Sequence, residues 1–332
     1  MITESSFWQA EKIAGNDDLL REILIWLPVS SLLCFRCVSH HWRSLISDPD
    51  FRLLHTRRSS AGATAGLFLF RKSDKSTNGY TNIPQPNIDD DDEIVAMNLG
   101  FDPSKSSNYK IVCIVRDKLE LFRFFIFSSD TTIWKESGQV RGDFYFGRGV
   151  FLNGVIYFVS KHSHFLYFDL DNESLEIMPS SSVPEGRNGG KIKYFGESAG
   201  KLHLIEENVL RPTLLNVFEL EKDYSKWFVK YVVDLDDLTH VFPLMVINEP
   251  ESLDVIGYQF DVLCFIDGEK EGKTILVLSL PEKMISYDIK SMSIKELLKV
   301  PLEELHLSME GFLVYNYKWY HAYKHIETLA LV

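Results

Sequence analysis

Hydrophobic and polar positions follow two different periods along the chain. Between residues 17 and 58, apolar side chains recur every three or four positions, whereas beyond residue 66 they tend to alternate with polar ones. The first spacing predicts short amphipathic helices and the second predicts β-strands. Small, flexible residues separate the two regions. We therefore predict a tail at 1–14, a helical domain at 15–58, a linker at 59–65 and a β domain at 66–332.

The helical region divides into four short helices. Pro28 ends the first of them, and Pro49 occupies the first position of the last. The predicted N-caps are, in chain order, Asp17 or Asp18, Ser30, Ser39 and Asp48. Isolated helices shorter than about 12 residues are marginal in water. Because so small a bundle cannot bury all of its apolar side chains, we predict that it docks on a partner.

The order of residues in this region resembles the F-box, in the form found in large plant families. The resemblance is carried by Asp18-Leu19-Leu20, Glu22-Ile23-Leu24, Leu27-Pro28-Val29, Ser31-Leu32-Leu33, Phe35-Arg36-Cys37-Val38-Ser39, Trp42-Arg43 and Leu45-Ile46-Ser47-Asp48-Pro49-x-Phe51. It implies binding to a Skp-family adaptor, and through it to a cullin and a RING subunit of a ubiquitin ligase. The residues expected to bind the adaptor are Leu19, Leu20, Ile23, Leu24, Leu27, Pro28, Leu32, Leu33, Phe35, Val38, Trp42, Leu45 and Ile46. The second helix is predicted to place Leu32, Leu33, Phe35 and Val38 inward. The alternative to adaptor binding is that the apolar side chains only form the core of a small helical subdomain packed on the rest of the chain.

Two hairpins are predicted in the β region. Val150–Phe158 contains Asn153-Gly154, the pair that a type I′ turn requires between strands. Ser198–Ile205 contains a similar turn at Gly200, 46 residues after Gly154. Strands therefore recur at a roughly regular interval.

A second repeat has an aromatic residue, then any residue, then an aliphatic or aromatic residue. It occurs at Phe125-Ile126-Phe127, Phe168-Asp169-Leu170, Phe218-Glu219-Leu220 and Tyr287-Asp288-Ile289. The steps are 43, 50 and 69 residues, and an insertion containing Pro243 and Pro250 explains the last. In two copies a tryptophan follows nine residues after the first aromatic residue, which is the spacing expected if the chain turns and returns as the next strand. Such repeats predict a Kelch-like propeller with about five or six blades.

This half of the chain is similar to the F-box-associated domain of the same plant families. The matching segments are Leu99-Gly100-Phe101-Asp102-Pro103, Tyr109-Lys110-Ile111-Val112, Phe168-Asp169-Leu170, Val217-Phe218-Glu219-Leu220, Asp223-Tyr224-Ser225-Lys226-Trp227 and Val233-Asp234-Leu235. The resemblance implies that the domain recruits a protein substrate. Because propellers present partners on exposed loops, the candidate substrate-binding residues are His162, His164, Arg187 and Phe242.

The predicted fold class is α+β by domain, a helical F-box followed by an all-β propeller-like domain. The C-terminal segments Phe312–Tyr317 and Thr328–Val332 are expected to pair with or beside the first strand, Gly66–Phe70, and close the ring.

Composition narrows the class of protein. The chain has 332 residues, a formal net charge of −12 and 45% hydrophobic residues, which is ordinary for a globular protein. The excess acid falls on residues 59–332, since residues 1–58 are balanced, and it disfavours a nucleic-acid partner. The run Asp89–Glu93 is predicted to be a solvated loop. No apolar run predicts a membrane span, and four unpatterned cysteines fit reduced thiols, so we expect an intracellular protein of the cytoplasm, the nucleus or both.

Four patterns suggest enzymes or metal sites, and each has a simpler interpretation. Gly196–Gly200 matches a nucleophile elbow but precedes a predicted strand, and Gly268–Thr274 is one residue short of a phosphate loop. Cys34 and Cys37 have the spacing of half a zinc site with no second pair. The histidine pairs His162/His164 and His321/His325 lack an identifiable third ligand.

The sequence thus predicts a substrate-recognition subunit of a Skp-cullin-F-box ubiquitin ligase, with no catalytic site, metal or cofactor of its own. It would act by holding a substrate close to a ubiquitin-charged enzyme. Two alternatives remain: a non-degradative scaffold or competitor of other F-box proteins, and a hydrolase with its site in the propeller cleft.

Overall fold

The computed structural model describes residues 16–59, 66–71, 83–89, 91–102, 104–106, 108–142, 146, 149–159, 165–178, 190–221, 226–248, 256–268, 272–299, 305–307, 313–315 and 319–325. Four helices come first, followed by strands. The helices are α1 (Asp17–Leu24), α2 (Val29–Phe35), α3 (His40–Ser47) and α4 (Pro49–Ser59). This order confirms the predicted fold class, a helical segment followed by a β-rich domain.

Two of the four predicted helix caps are confirmed. Ser39 Oγ accepts a hydrogen bond from Trp42 N at 3.1 Å, and Asp48 Oδ1 accepts one from Phe51 N at 3.0 Å. The first prediction was wrong, because Asn16 rather than an aspartate caps α1, accepting from the amides of residues 18 and 19. The second was also wrong, because α2 starts directly after Pro28 and no described side chain caps it. The fixed backbone of proline suits this position without help from Ser30.

Four antiparallel sheets of four strands form the body of the β domain. Each is a meander in which consecutive strands are neighbours. The first sheet contains β2 (Glu93–Gly100), β3 (Lys110–Arg116), β4 (Leu121–Ser128) and β5 (Ile133–Arg141). The second contains β6 (Val150–Leu152), β7 (Val155–Val159), β8 (Phe165–Asp169) and β9 (Ser174–Ile177). The third contains β10 (Ile192–Ser198), β11 (Lys201–Glu207), β12 (Leu214–Leu220) and β13 (Trp227–Asp234), and the fourth contains β16 (Asp261–Asp267), β17 (Thr274–Ser279), β18 (Lys283–Asp288) and β19 (Ser293–Lys299).

Three further strand pairs complete the described β structure. They are β1 (Gly66–Arg71) with β22 (Trp319–His325), β14 (Val246–Asn248) with β15 (Ile256–Tyr258), and β20 (Leu305–Leu307) with β21 (Leu313–Tyr315). The first pair joins the two ends of the domain, with Gly66 opposite His325. Pairing of the first strand with the C-terminal region is thus confirmed, but its partner lies between the two segments we predicted. Residues 328–332 lie outside the described chain.

The sequence repeats occupy equivalent places in the four sheets. Every copy of the aromatic repeat lies on the third strand of its sheet, at β4, β8, β12 and β18. Trp134 and Trp227 lie on the fourth strands, as predicted. Both predicted hairpin turns also form, with positive φ angles at Asn153 (53°) and Gly154 (89°) and at Ala199 (53°) and Gly200 (75°).

Hydrophobic cores lie between consecutive sheets. Phe124 of the first sheet stacks on Phe168 of the second, with ring centroids 5.9 Å apart. Phe165 of the second stacks on Trp227 of the third at 5.1 Å. A third core joins Val217 to Leu276 of the fourth sheet. Such face-to-face stacking of successive sheets is that of a propeller-like domain. The number of blades and the Kelch-like classification stay predictions.

An insertion interrupts the repeat where the sequence spacing lengthens. Residues 235–260, between the third and fourth sheets, contain α5 (Asp236–Val241), a 3₁₀ helix (Pro243–Met245) and the β14–β15 pair. Leu238 and Met245 are buried and attach this insertion to the core between the two sheets.

Candidate interaction surfaces

The helical segment has a small core of its own. Its buried members are Leu20, Leu24, Val29, Leu32, Leu45, Ile46 and Phe51. His55 of α4, itself buried, places its Nε2 2.8 Å from the carbonyl oxygen of Leu27 and so joins α4 to the end of α1. The guanidinium of Arg57 donates to the carbonyl of Ser104 at 2.8 Å, which links the segment to the β domain.

The thirteen predicted adaptor-binding residues fall into three groups. Leu20, Leu24, Leu32, Leu45 and Ile46 are buried in the helical core. Leu27, Phe35 and Trp42 are half-buried against it. Leu19, Ile23, Pro28, Leu33 and Val38 are exposed. The prediction that Leu33 and Val38 face inward was wrong. Leu32 lies on the buried side of α2, and because successive residues of a helix are rotated by about 100°, Leu33 points away from the core.

Helix α1 is apolar on two sides. Leu20 and Leu24 form the buried side, whereas Leu19 and Ile23, each 48% exposed, lie on the other side. Trp26, in the turn two residues after the helix ends, is 67% exposed. Trp26, which our sequence analysis did not include, carries the guanidinium of Arg58 over its ring. A soluble helix that is apolar on two sides is typically covered on both. The exposed side of α1 is therefore a candidate docking surface.

A groove lies between the end of α2 and the start of α3. It encloses about 610 Å³ and is lined by Leu33, Arg36, Cys37, Val38, Ser39, His40 and Arg43. Its charged side chains are basic, so it favours an acidic partner surface. Cys37 of this groove and the nearby Cys34 are free, exposed thiols. Within the described chain, the cysteines belong to no group of side chains close enough to hold a metal ion.

The predicted substrate-binding residues are mostly outside the described chain. His162, His164 and Arg187 fall there. Phe242 follows α5 in the insertion, where it is half-buried against the core between the third and fourth sheets. The ammonium of Lys283 lies 5.3 Å from the centre of its ring. The structure thus places Phe242 on the insertion, beside exposed residues of the same segment.

The two glycine-rich sequence patterns, at Gly196–Gly200 and Gly268–Thr274, are parts of hairpins. Ser198 ends β10, and its buried hydroxyl accepts a hydrogen bond from Asp267 N at 2.7 Å, while the chain turns directly into strand β11. This is not the geometry of a nucleophile elbow. The segment after Gly268 connects strands β16 and β17, with the Gly268 amide bonded to the Lys273 carbonyl at 2.8 Å. His321 and His325 lie on β22.

The acidic run before β2 is more ordered than predicted. Asp91 pairs with Lys118 at 2.7 Å and Glu93 pairs with Arg116 at 2.5 Å. Asp92, whose side chain is only 6% exposed, pairs with Arg123. Asp92 is therefore buried beside its arginine, whereas Asp91 and Glu93 pair at the surface and stay 70% and 63% exposed.

A buried ionic network joins the third and fourth sheets. Lys230 of β13 contacts both Glu219 of β12 and Asp267 of β16. Glu219 also accepts from His203 Nε2 at 3.0 Å and from Lys201 at 2.9 Å. Burial alone would raise the pKa of Glu219, but these hydrogen bonds outweigh it and lower the pKa to about 2. The carboxylate therefore stays charged inside the protein.

A β-bulge explains why a lysine lies in this network. The pairing of β12 with β13 skips Lys230, since Val217 faces Tyr231 and Phe218 faces Val229. A bulge residue changes the direction of its side chain, which here turns inward. Burial alone would lower the pKa of Lys230, but bonds to Asp267 and Glu219 raise it instead. The charge balance of this network was not visible in the sequence.

His203, Glu219 and Asp267 bring possible metal ligands within 4.8 Å of one another. The ammonium of Lys230 already contacts both carboxylates and neutralises the charge that would attract a cation. We therefore interpret the cluster as an ion-pair network that ties two sheets together.

Comparison with known sequences matches the helical segment and the first part of the β domain to known families. The sequence model of the F-box domain matches residues 16–54, and that of the F-box associated beta propeller domain matches residues 78–198. The chain is a plant-type F-box protein. The helical segment described above is its F-box.

Relatives of this F-box protein are F-box proteins of Arabidopsis thaliana. F-box protein At5g07610 is 27% identical, and the match covers 86% of each chain. Putative F-box protein At3g10240 is 23% identical over 64% of this chain and 70% of its own. Putative F-box protein At1g47790 is 48% identical over 58 residues, which make up 18% of this chain and 15% of that one. Identity is thus higher in this last, short match than in the two long ones.

Solved structures resemble this F-box protein only weakly. The SapL1 lectin in complex with alpha methyl fucoside covers 62% of this chain and 64% of its own at 9% identity, with a TM-score of 0.36. A likeness at that level supports no statement about function. In the described part of the chain, no helix is long and apolar enough to cross a membrane.

Proposed function

We propose that this F-box protein is the substrate-recognition subunit of a Skp-cullin-F-box ubiquitin ligase. Membership of the family supports a substrate-recognition role. The observation that carries the proposal is the exposed apolar side of α1, at Leu19 and Ile23. Three further apolar side chains of the helical segment are also exposed: Trp26, Leu33 and Val38. A core of seven buried residues holds this surface without covering it.

The adaptor-binding surface consists of the exposed residues. Leu19, Ile23, Leu33 and Val38 contact the Skp-family adaptor directly, and the basic groove beside them receives acidic side chains. The buried leucines contribute indirectly, because they hold the helices in place. Helices laid with their apolar side against a partner are a common mode of recognition.

The β domain recruits the substrate and contributes no catalytic group. Its role is proximity, since a bound substrate is held near the ubiquitin-charged enzyme of the complex. Ser198 supports this interpretation: its hydroxyl is buried and occupied by a backbone amide. The serine of the only elbow-like motif in the sequence therefore lies in the interior.

The test is purification of the tagged full-length protein from plant cells treated with a proteasome inhibitor. Wild type is expected to bring down both adaptor and cullin, and Leu27→Ala/Pro28→Ala to bring down neither, because both changes lie where α1 meets α2. Leu119→Ser, which removes an exposed apolar side chain of the β domain, is the control and should retain both. Adaptor without cullin would favour the non-degradative scaffold. Undiminished recovery with the double variant would refute the proposed surface.

A further inference from the structure

We propose that the insertion and the neighbouring β11–β12 turn form the substrate-docking surface, and that it binds a segment in which apolar side chains adjoin lysine or arginine. We call this surface, defined by Val209, Leu210, Asp237, Val241 and Leu244, the insertion ledge. The inference rests on the proposed function and specifies where and what the β domain binds.

Ion pairs join the two parts of the ledge. Arg211 in the turn contacts Asp236 at the start of α5 and Asp234 at 2.8 Å. Thr213 also donates to Asp236, and Leu235 N donates to the Thr213 carbonyl at 3.0 Å. The turn itself is fixed by Asn208, whose side chain accepts from two turn amides. The turn and the helix are therefore presented together.

The ledge exposes apolar side chains that the fold does not require. Leu210 is 94% exposed, Val209 54%, Val241 57% and Leu244 40%. The insertion is anchored by other residues, Leu238 and Met245, which are buried. Most other exposed apolar residues of the described β domain lie instead on first or fourth strands, at the margins of sheets: Ile94, Met97, Leu99, Ile133, Ile177, Phe228, Val229, Val232, Ile294, Leu297 and Leu298. Exposed apolar residues grouped outside the repeated strands indicate a binding surface.

Charge defines the partner. From Asp234 to Asn248 the described residues include three acidic side chains, Asp234, Asp236 and Asp237, and no lysine or arginine. The arginine of the neighbouring turn, Arg211, is already shared between Asp234 and Asp236. Lys283, which lies over the Phe242 ring, is paired with Glu296. The three aspartates outnumber Arg211, so the ledge combines apolar side chains with an excess of negative charge. Its complement is a segment carrying apolar and basic side chains, for which opposite charge supplies register and selectivity.

The test is selection of short random peptides, about a dozen residues long, displayed on phage against the full-length protein. We expect enrichment of peptides with apolar residues next to lysine or arginine. The best peptide should bind Leu210→Ser/Val241→Ser/Leu244→Ser at least about tenfold more weakly, because interface energy concentrates in a few apolar contacts. Asp237→Asn should weaken it less, and added salt should weaken wild-type binding.

The matched control is Leu119→Ser/Met292→Ser, which removes two exposed apolar side chains from hairpin turns elsewhere. It should bind the peptide as wild type does. Equal binding by the triple variant, selection of peptides without basic residues, or no selection at all would overturn the inference. Adaptor binding of the same preparations is measured in parallel. The inference is supported if the triple variant no longer binds the peptide but still binds the adaptor. If wild type does not bind the adaptor, the proposed function is refuted instead.

Discussion

The F-box and the β domain both expose apolar side chains, but for different reasons. The F-box does so on α1 itself, where Leu20 and Leu24 are buried while Leu19 and Ile23 are not. The β domain buries its apolar residues between stacked sheets and places its docking candidates on an insertion outside the repeat. In the F-box, the proposed binding surface lies on the same helix that forms the core. In the β domain, the proposed surface lies outside the repeated sheets, so its residues can change while the sheets stay the same.

The largest effect is expected from the F-box core. Leu24→Ala or Leu32→Ala removes a fully buried side chain, which costs about 2 to 5 kcal/mol. A bundle of this size has little stability to lose, so the helices should unfold and become sensitive to protease. The thermal transition of the β domain should remain. Limited proteolysis followed by mass spectrometry checks both statements, and simultaneous loss of the two regions would contradict the separation.

In the β domain, the largest loss of stability is expected from a change in the ionic network. Lys230→Met leaves Glu219 and Asp267 without their shared cation inside the protein, and breaking a buried pair costs about 3 to 5 kcal/mol. Lys226→Met is the control, because that lysine is exposed and pairs only at the surface. Urea denaturation of both variants measures the difference. A loss for Lys230→Met no larger than that of the control would show that the network does not join the sheets.

The network also predicts a dependence on pH. Because the pKa of Glu219 is lowered to about 2 in the folded chain from its ordinary 4.5, the carboxylate stabilises the fold above pH 4.5. That contribution, about 3 kcal/mol, should fall as the pH drops from 4.5 towards 2. Glu219→Gln removes this dependence, so the difference in unfolding free energy between wild type and variant should shrink over that range. A constant difference would contradict the assignment.

The smallest expected effect concerns the helix caps. Asn16→Ala and Ser39→Ala should each destabilise the F-box by about 1 kcal/mol, because each removes a side-chain acceptor for helix amides. Ser30→Ala should change stability little, since α2 starts at Val29 without a side-chain cap. Helical circular dichroism during denaturation gives the three values. An equal loss for Ser30→Ala would show that it caps α2 after all.

The sequence predicted more of the F-box than of the substrate surface. Helices, two caps and the run of apolar residues are local features, and helical spacing reveals them. The same spacing could not show that Leu32 is buried and Leu33 exposed, because only packing decides which apolar residue faces the core. In the β domain the hairpins and the aromatic repeat were also predictable, since Asn153-Gly154 and Phe218-Glu219-Leu220 act locally.

The buried network and the ledge depend on contacts distant in sequence. Lys230 and Asp267 meet only after two sheets stack, and a bulge that the sequence does not mark turns the lysine inward. Arg211 likewise joins the ledge through an aspartate 25 residues away. For the insertion, the lengthened repeat was the visible signal, and its acidic composition was a second signal that we did not use.

The most direct test of the central claim is calorimetric titration of a purified Skp-family adaptor, bound to the N-terminal part of a cullin, into the full-length protein. Wild type and Leu119→Ser should form a one-to-one complex. Leu19→Ser/Ile23→Ser/Leu33→Ser should reduce affinity at least about a hundredfold while its unfolding transition stays unchanged, because the three side chains are exposed in the free chain. Wild-type affinity in this folded variant, or no binding by wild type, would contradict the account.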